Sequence, residues 1–307
     1  MPFIISDVSY IDLNFCNTPR GIATGVYGSD AGVVLVDPGP GSCLDTLVAM
    51  LNAQGIRITD IDSLLLTHIH LDHAGATGLL VRENPEIKVY VHEKGAPHLI
   101  DPSKLINSAN QLWGVEGVAR LWGQVLPVPQ SNLRILGEHD RIAAGGHLFD
   151  VRYTPGHASH HVSYFDEATG IVWAGDTAGL RFTSKVFTLP PTPPPDIDLE
   201  AWRDSVAKIR AWKPETVFIT HFGPYGDAAE HLDHFETSMS DVAEMARRAI
   251  DSEASDEAKY EQFKADVFAY IRQSVPESEV TPLEHVGPME FNWRGLVRYW
   301  KKKRSSG

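Results

Sequence analysis

Apolar residues in the first part of this chain come in short runs, separated by turn-forming clusters and alternating with stretches of helical period. Ala31-Gly32-Val33-Val34-Leu35-Val36 is apolar and β-branched, which predicts a buried strand, and it stops at the breaker cluster Asp37-Pro38-Gly39-Pro40-Gly41. Ser42 to Gln54 carries Leu44, Leu47, Val48 and Leu51 at helical spacing, with Gly55 placed to cap it. Leu64 to Thr67 predicts a second strand, Ala74 to Arg82 a helix and Lys88 to His92 a third strand. Between Gly95 and Gln130 the pattern turns helical and irregular around Trp113 and Trp122, as expected of an insertion lying over the core. Strands return from Leu133 to Trp173. The segment Leu189-Pro190-Pro191-Thr192-Pro193-Pro194-Pro195 is too stiff for a helix or a central strand, and reads as a rigid surface connector rather than a polyproline docking ligand. Leu199 to Trp212 predicts an amphipathic helix and Thr216 to Thr220 a strand.

From Asp227 the chain becomes polar and Ala-rich, with helical segments over 227–249, 256–274 and 288–303. The expected organisation is an α/β catalytic domain over 1–226 and a helical C-terminal extension over 227–307. That extension is open to three roles: covering a site mouth, making a dimer contact, or completing the core. The last residues, Lys301 to Gly307, read as a disordered basic end.

The strands echo one another. Val33 to Gly39 and Ile171 to Asp176 are each a strand ending in Asp at a Gly-rich turn, and Leu64 to His68 and Val217 to His221 are each a strand ending in Thr-His. Two similar halves packed face to face bring both sets of strand ends to one edge, where α/β architectures place their sites.

Chemistry concentrates at those ends. His68-Ile69-His70-Leu71-Asp72-His73 holds three imidazoles and a carboxylate in six positions, a register that converges only on a sharply turning loop. Imidazole and carboxylate suit zinc or iron, and no cysteine lies near to make a thiolate site. His157 after Pro155-Gly156, Asp176 after Gly175 and His221 before Phe222-Gly223 stand at further strand ends beside residues that let the backbone bend. Together these are seven ligands, enough for two metals. His160 and His161 read as supporting or surface residues, and His231 and His234 as a solvated helix face. Trp202 and Trp212 read as core; Phe182 and Phe187 are candidates to line a substrate pocket, with core packing the plainer reading.

Charge removes some alternatives. Lys+Arg of 27 against Asp+Glu of 40 leaves −13, which disfavours a nucleic-acid partner. No basic-then-apolar leader and no apolar run near the ~20 residues of a membrane span is evident, so no membrane partner and a cytoplasmic address are expected. Cys16 and Cys43, without CxxC spacing, read as two buried or partly buried thiols in a reducing compartment. A small-molecule substrate is the expected partner, with homo-oligomerisation left open.

The motif His68-x-His70-x-Asp72-His73, followed in order by His157, Asp176 and His221 and preceded by Asp37, resembles the metallo-β-lactamase superfamily of hydrolases, and within it the glyoxalase II-like branch. The resemblance spans Ala31 to Gly223. It implies a four-layer αβ/βα sandwich with a dinuclear centre at one edge. His68, His70 and His157 would hold one divalent ion, Asp72, His73 and His221 the other, and Asp176 would bridge them. The ions would be zinc, or else iron or manganese. Asp37 would fix the motif loop through hydrogen bonds. The implied chemistry is hydrolysis of a small-molecule ester, thioester or lactone by metal-bound hydroxide, with Asp72 or Asp176 as proton acceptor.

Departures narrow this expectation. Acyl-homoserine lactonases of the superfamily carry Tyr three residues after the bridging Asp, where this chain has Gly179. Flavodiiron proteins replace the second motif His by Glu, where this chain has His70. RNase-type members carry added domains or basic exosites. Glyoxalase II binds glutathione through basic and Tyr residues near its C-terminus; Arg294, Arg298 and Tyr299 occur here without aligning to that pattern. Two rival readings stay open, a mononuclear Fe(II) persulfide dioxygenase-like enzyme and a non-catalytic metal-binding protein of the same fold.

Overall fold

A computed structural model describes residues 3–5, 7–183, 185–276 and 288–306. The first sheet runs in chain order through β1 (Phe3–Ile5), β2 (Val8–Asp12), β3 (Ala23–Ser29), β4 (Gly32–Val36), β5 (Ile61–Leu65), β6 (Lys88–His92) and β7 (Leu133–Leu136). It is antiparallel up to β4 and parallel from there on. The second sheet contains β8 (Arg141–Ala144), β9 (His147–Tyr153), β10 (Val162–Asp166), β11 (Ile171–Trp173), β12 (Thr216–Ile219) and β13 (Gly223–Tyr225), ordered β13-β12-β11-β10-β9-β8.

Parallel neighbours need crossover connections, and here these are helices. In the first sheet they are α1 (Leu44–Asn52), the pair α2 (Leu71–Ala74) and α3 (Thr77–Glu83), and the pair α4 (Ala96–Ile100) and α5 (Ser103–Trp122). In the second sheet α6 (Leu199–Ala211) links the parallel pair β11 and β12. Further α-helices among the described residues are α7 (Ala228–Asp251), α8 (Asp256–Arg272) and α9 (Met289–Ser306).

Strand pleating divides the core into layers. On β4, Val34 and Val36 join Tyr27, Leu65, Phe149, Trp173 and Phe218 between the sheets, whereas Val33 and Leu35 face Leu47, Leu51 and Leu80 outside. On β12, Phe218 faces inward while Val217 and Ile219 pack under Trp202, Leu232 and Phe235. Helices thus cover both outer faces, giving the expected αβ/βα sandwich. Trp173 joins the layers: its Nε1 donates to Tyr27 Oη at 2.7 Å. A Cβ on Gly25 would stand 2.1 Å from that ring, so only glycine fits there.

The expected placements of the insertion and of the core tryptophans are borne out. The insertion packs over the first sheet through Leu99, Val118 and Trp122, kinked at Gly114, with Trp122 stacked on Phe15. Trp202 is fully buried, and Trp212 stacks on Phe165. Both cysteines are free thiols, Cys43 buried as expected and Cys16 exposed, which corrects the expectation that both are at least partly buried. Among the described residues no helix is long and apolar enough to cross a membrane.

Other expectations need correcting. The strand before the motif ends at Leu65, not Thr67, because the Thr67 N–H donates to a side chain instead of a neighbouring strand. Helix begins earlier than Ala74, inside the motif at Leu71, and is interrupted before Thr77. The basic end is ordered: α9 continues to Ser306, with Lys303 paired to Glu200 and Arg304 to Asp251. Gly307 lies outside the described residues. Of the roles open to the C-terminal helices, completing the core is the one their packing displays, since α7, α8 and α9 bury Phe235, Phe263 and Leu296 together.

Trp173→Ala is expected to lower the unfolding free energy by about 3–5 kcal/mol, the range for emptying a large aromatic site. Urea denaturation followed by far-UV circular dichroism measures this, and a change well under 1 kcal/mol contradicts the layered core.

Candidate metal centre

Asp37 follows β4 with φ of 50°, a left-handed conformation that Asp tolerates better than most residues. Its buried carboxylate accepts from Thr67 N at 2.8 Å and Thr67 Oγ1 at 2.7 Å. Thr220 Oγ1 donates to it at 2.9 Å, and His73 Nδ1 lies 2.8 Å away. The two Thr-His strand ends that echo in sequence are therefore tied to one side chain.

The motif loop runs from β5 into α2, so His68 and His70 lie on irregular backbone while Asp72 and His73 share a helical turn. His157 sits in the turn between β9 and β10, and Asp176 follows β11. Gly175 has φ of +50°, and a Cβ there would stand 2.5 Å from Thr67 Oγ1 and 2.8 Å from His161 Nε2. That glycine lets the Asp176 loop close onto the motif loop. His221 follows β12.

The seven residues named from sequence meet in one place. Their ligand atoms form overlapping groups, each within 4.8 Å: His68 with His70 and His157, His68 with His73 and Asp176, and Asp72 with His73 and His221. His157 Nε2 faces His70 Nδ1 at 2.9 Å. The two oxygens of Asp176 divide between these groups. Oδ2 is 3.4 Å from His157 Nε2, while Oδ1 is 3.3 Å from His73 Nε2 and 3.8 Å from His221 Nε2. Asp72 Oδ2 lies 3.3 Å from His221 Nε2.

Tautomers follow from the partners. His157 Nδ1 is 2.8 Å from the Pro191 carbonyl and His221 Nδ1 is 2.9 Å from the Gly21 carbonyl. A carbonyl only accepts, so both Nδ1 atoms carry hydrogen and the Nε2 atoms point inward as lone pairs when the rings are neutral. His73 Nε2, His68 Nε2 and Asp176 Oδ1 are buried without a hydrogen-bond partner. Orphaned buried acceptors cost on the order of 1–3 kcal/mol each, and a cation among them removes that cost. The donor set fits divalent metal.

Comparison with known proteins agrees. The family model for the metallo-β-lactamase superfamily matches residues 17–221. The chain belongs to the metallo-β-lactamase superfamily. A metallo-β-lactamase fold-containing protein of Sulfurisphaera tokodaii is 29% identical over 53% of this chain and 61% of its own length. A hydroxyacylglutathione hydrolase of Methylobacterium sp. is 28% identical, covering 52% of each chain. The chain thus spans about half the length of the curated relatives it matches. Among solved structures, a superfamily protein of Thermus thermophilus aligns with TM-score 0.68 at 21% identity, over 93% of this chain and 89% of its own. The archaeal superfamily protein of Sulfolobus tokodaii gives 0.64 at 20% identity, over 95% and 99%.

Electrostatics divide this superfamily site in two. Burial, reinforced by neighbouring imidazoles, lowers the pKa of His68 far below the ordinary histidine value and that of His70 to about 4; burial also lowers His157. These rings are neutral at pH 7. Burial opposes charge on His73 and His221 too, but the Asp176 and Asp72 carboxylates outweigh it and raise both. Burial alone would raise Asp176 and Asp72, yet His73 and His221 hold both below the carboxylate range.

His161 has the supporting role read for it from sequence, with partners that the sequence did not reveal. Asp176 N donates to His161 Nε2 at 3.2 Å, and His161 Nδ1 meets Thr154 and Thr177 hydroxyls, so His161 anchors the Asp176 loop. His160 lies against His70, its buried Nδ1 without a partner. His231 is not on a solvated face: it is buried, with Nε2 donating to the Ala178 carbonyl at 2.8 Å, because α7 packs against the second sheet. His234 is half-buried beside Thr188. Phe187 is buried and packs against His234 and Tyr270 in the core. Arg298 donates to the Pro195 carbonyl and Tyr299 to Glu200.

Because the Asp176 and Asp72 carboxylates raise the pKa values of His73 and His221, these rings hold protons more firmly than ordinary histidines in the metal-free chain, and a cation competes with those protons. Zinc uptake near pH 7 is therefore expected to release protons. Calorimetry in buffers of different ionisation enthalpy reads this directly; a binding heat independent of buffer contradicts it. Asp37→Ala leaves His73 unoriented, and is expected to weaken zinc binding by about 10–100-fold. Competition with a chelating indicator measures the loss.

Proposed function

We propose that the chain is a dinuclear metal-dependent hydrolase acting on a small-molecule ester or thioester. The observation that carries this reading is the division of the Asp176 carboxylate, Oδ2 toward His157 and Oδ1 toward His73 and His221. His68, His70 and His157 would hold one divalent ion, Asp72, His73 and His221 the other, and Asp176 both, with zinc the best match to this N/O donor set. Bound there, the ions would supply Lewis acidity and lower the pKa of water enough for hydroxide to be available as a nucleophile near neutral pH.

The chain's own groups set up that chemistry. Pro191, Gly21 and Asp37 fix three imidazoles so that their Nε2 atoms point inward. Burial of the histidines excludes bulk water and strengthens every charge interaction inside. We assign proton acceptance to Asp72 rather than Asp176, because its side chain is 24% exposed against 4%. Of the two carboxylates, Asp72 is the more open to solvent.

The substrate class follows from two supports. The activity that names the hydroxyacylglutathione hydrolase relatives favours a thioester. A lactone is disfavoured at Gly179: with φ of +79° and Phe235 Cδ2 2.6 Å from where a Cβ would stand, the position has no room for the tyrosine of the lactonase pattern. A second complete triad at Asp72, His73 and His221 weighs against the single-iron reading.

Metal analysis and a panel of acyl thioesters, esters and lactones test the proposal. Two zinc per chain with thioester or ester hydrolysis is the expected result, and a chelator should abolish it. His68→Ala should cost more than the ~100-fold already lost when supporting partners of a metal ligand are removed. A single iron with oxygen consumption on a persulfide, or full hydrolysis by the His68→Ala variant, overturns it.

A further inference from the structure

We infer that α9 is a positioning element of the metal centre, in which Asn292 and Gly295 set the orientation of His157 through one peptide plane of the Pro-rich segment. The inference rests on the metal reading above. The plane is the peptide joining Pro191 to Thr192. Its carbonyl oxygen accepts from His157 Nδ1 at 2.8 Å, and its N–H donates to Asn292 Oδ1 at 2.7 Å. A peptide is rigid and planar, so a group gripping the N–H also fixes where the carbonyl points. His157 and Asn292 thus hold opposite edges of the same plate.

Other contacts keep the plate in place. Thr192 Oγ1 donates to the Asn292 carbonyl at 3.2 Å, and Thr192 is fully buried. A Cβ on Gly295 would stand 1.9 Å from the Thr192 carbonyl oxygen, so the backbones of α9 and the segment touch with nothing between them. One turn further on, Arg298 Nε donates to the Pro195 carbonyl at 3.1 Å. What this assembly controls is the ring of His157. With Nδ1–H held by Pro191, Nε2 is aimed at His70 Nδ1 and Asp176 Oδ2. Loss of the Asn292 acceptor leaves a buried N–H unpaired and lets the plate tilt, turning His157 away from the first ion. The second triad is tied instead through Asp37 and Gly21, so its affinity should not change.

The test uses the full chain, stripped of metal and titrated with zinc against a chelating indicator, in the wild type and in N292A, N292L, N292D and G295A. N292A and N292L should weaken one of two zinc ions by about 10-fold, the lower end for partners that act through a ligand, and leave the other unchanged. N292D keeps an acceptor oxygen and should restore wild-type binding. G295A should weaken the same ion. The double variant N292A/H157A should bind no more weakly than H157A alone, because both act on one ligand. N292L keeps the side-chain volume, so the test stands if N292A does not fold. Wild-type affinity for both ions in N292A and N292L, an equal loss at both ions, or failure of N292D to rescue overturns the inference while leaving the metal reading intact. A wild-type chain that takes up no zinc removes both.

Discussion

The Asp37 carboxylate receives the Thr67 N–H, the Thr67 and Thr220 hydroxyls and His73 Nδ1, and so joins the ends of β4, β5 and β12 across the two sheets. Burying a carboxylate costs several kcal/mol even after relaxation. Hydrogen bonds to a charged acceptor return roughly 1.5–3 kcal/mol each, so a full set of donors is needed to make the arrangement favourable. That requirement explains local details that otherwise look arbitrary. β5 stops short because Thr67 spends its N–H on Asp37. Both Thr-His ends carry threonine because each must supply a hydroxyl. His73 turns its Nε2 inward because its Nδ1 is taken.

From this hub the site divides by how each candidate ligand is held. His68, His70, Asp72 and His73 are placed by covalent closeness along one loop and the turn that follows it. His157, Asp176 and His221 arrive singly from distant strand ends, and each depends on a long-range partner for its direction: the Pro191 carbonyl, the His161 ring and the Gly21 carbonyl. The Asp176 loop further requires Gly175, whose missing side chain is what allows the two halves to touch.

This division also accounts for what could be read from the sequence. The motif loop, the strand ends and the αβ/βα layering were legible because strand period, breaker clusters and ligand spacing are local signals. The Thr67 and Thr220 echo was visible, but its purpose was not, since nothing along the chain reveals that both hydroxyls meet on Asp37. His231 read as a solvated helix residue because helical spacing cannot tell which face packs on a sheet. The basic end read as disordered because its partners Glu200 and Asp251 lie far away in the chain. The substrate was least legible of all: its walls are not encoded in any short motif, and Phe187, an aromatic at a suggestive position, belongs to the core.

The helices after Tyr225 are therefore more than a cover for the second sheet. They bury Phe235, Phe263 and Leu296 in the cluster that also holds Val217 and Ile219 of that sheet, and α9 reaches the Pro-rich segment through Asn292. A polyproline stretch has few backbone donors, because proline has no N–H. Thr192, set between Pro191 and Pro193, restores one at the peptide whose carbonyl faces His157. Stiffness of the segment and the single donor act together: the prolines limit how the backbone bends, and Asn292 fixes the remaining rotation. A candidate ligand that arrives from outside the motif loop thereby has its own pair of fixed partners.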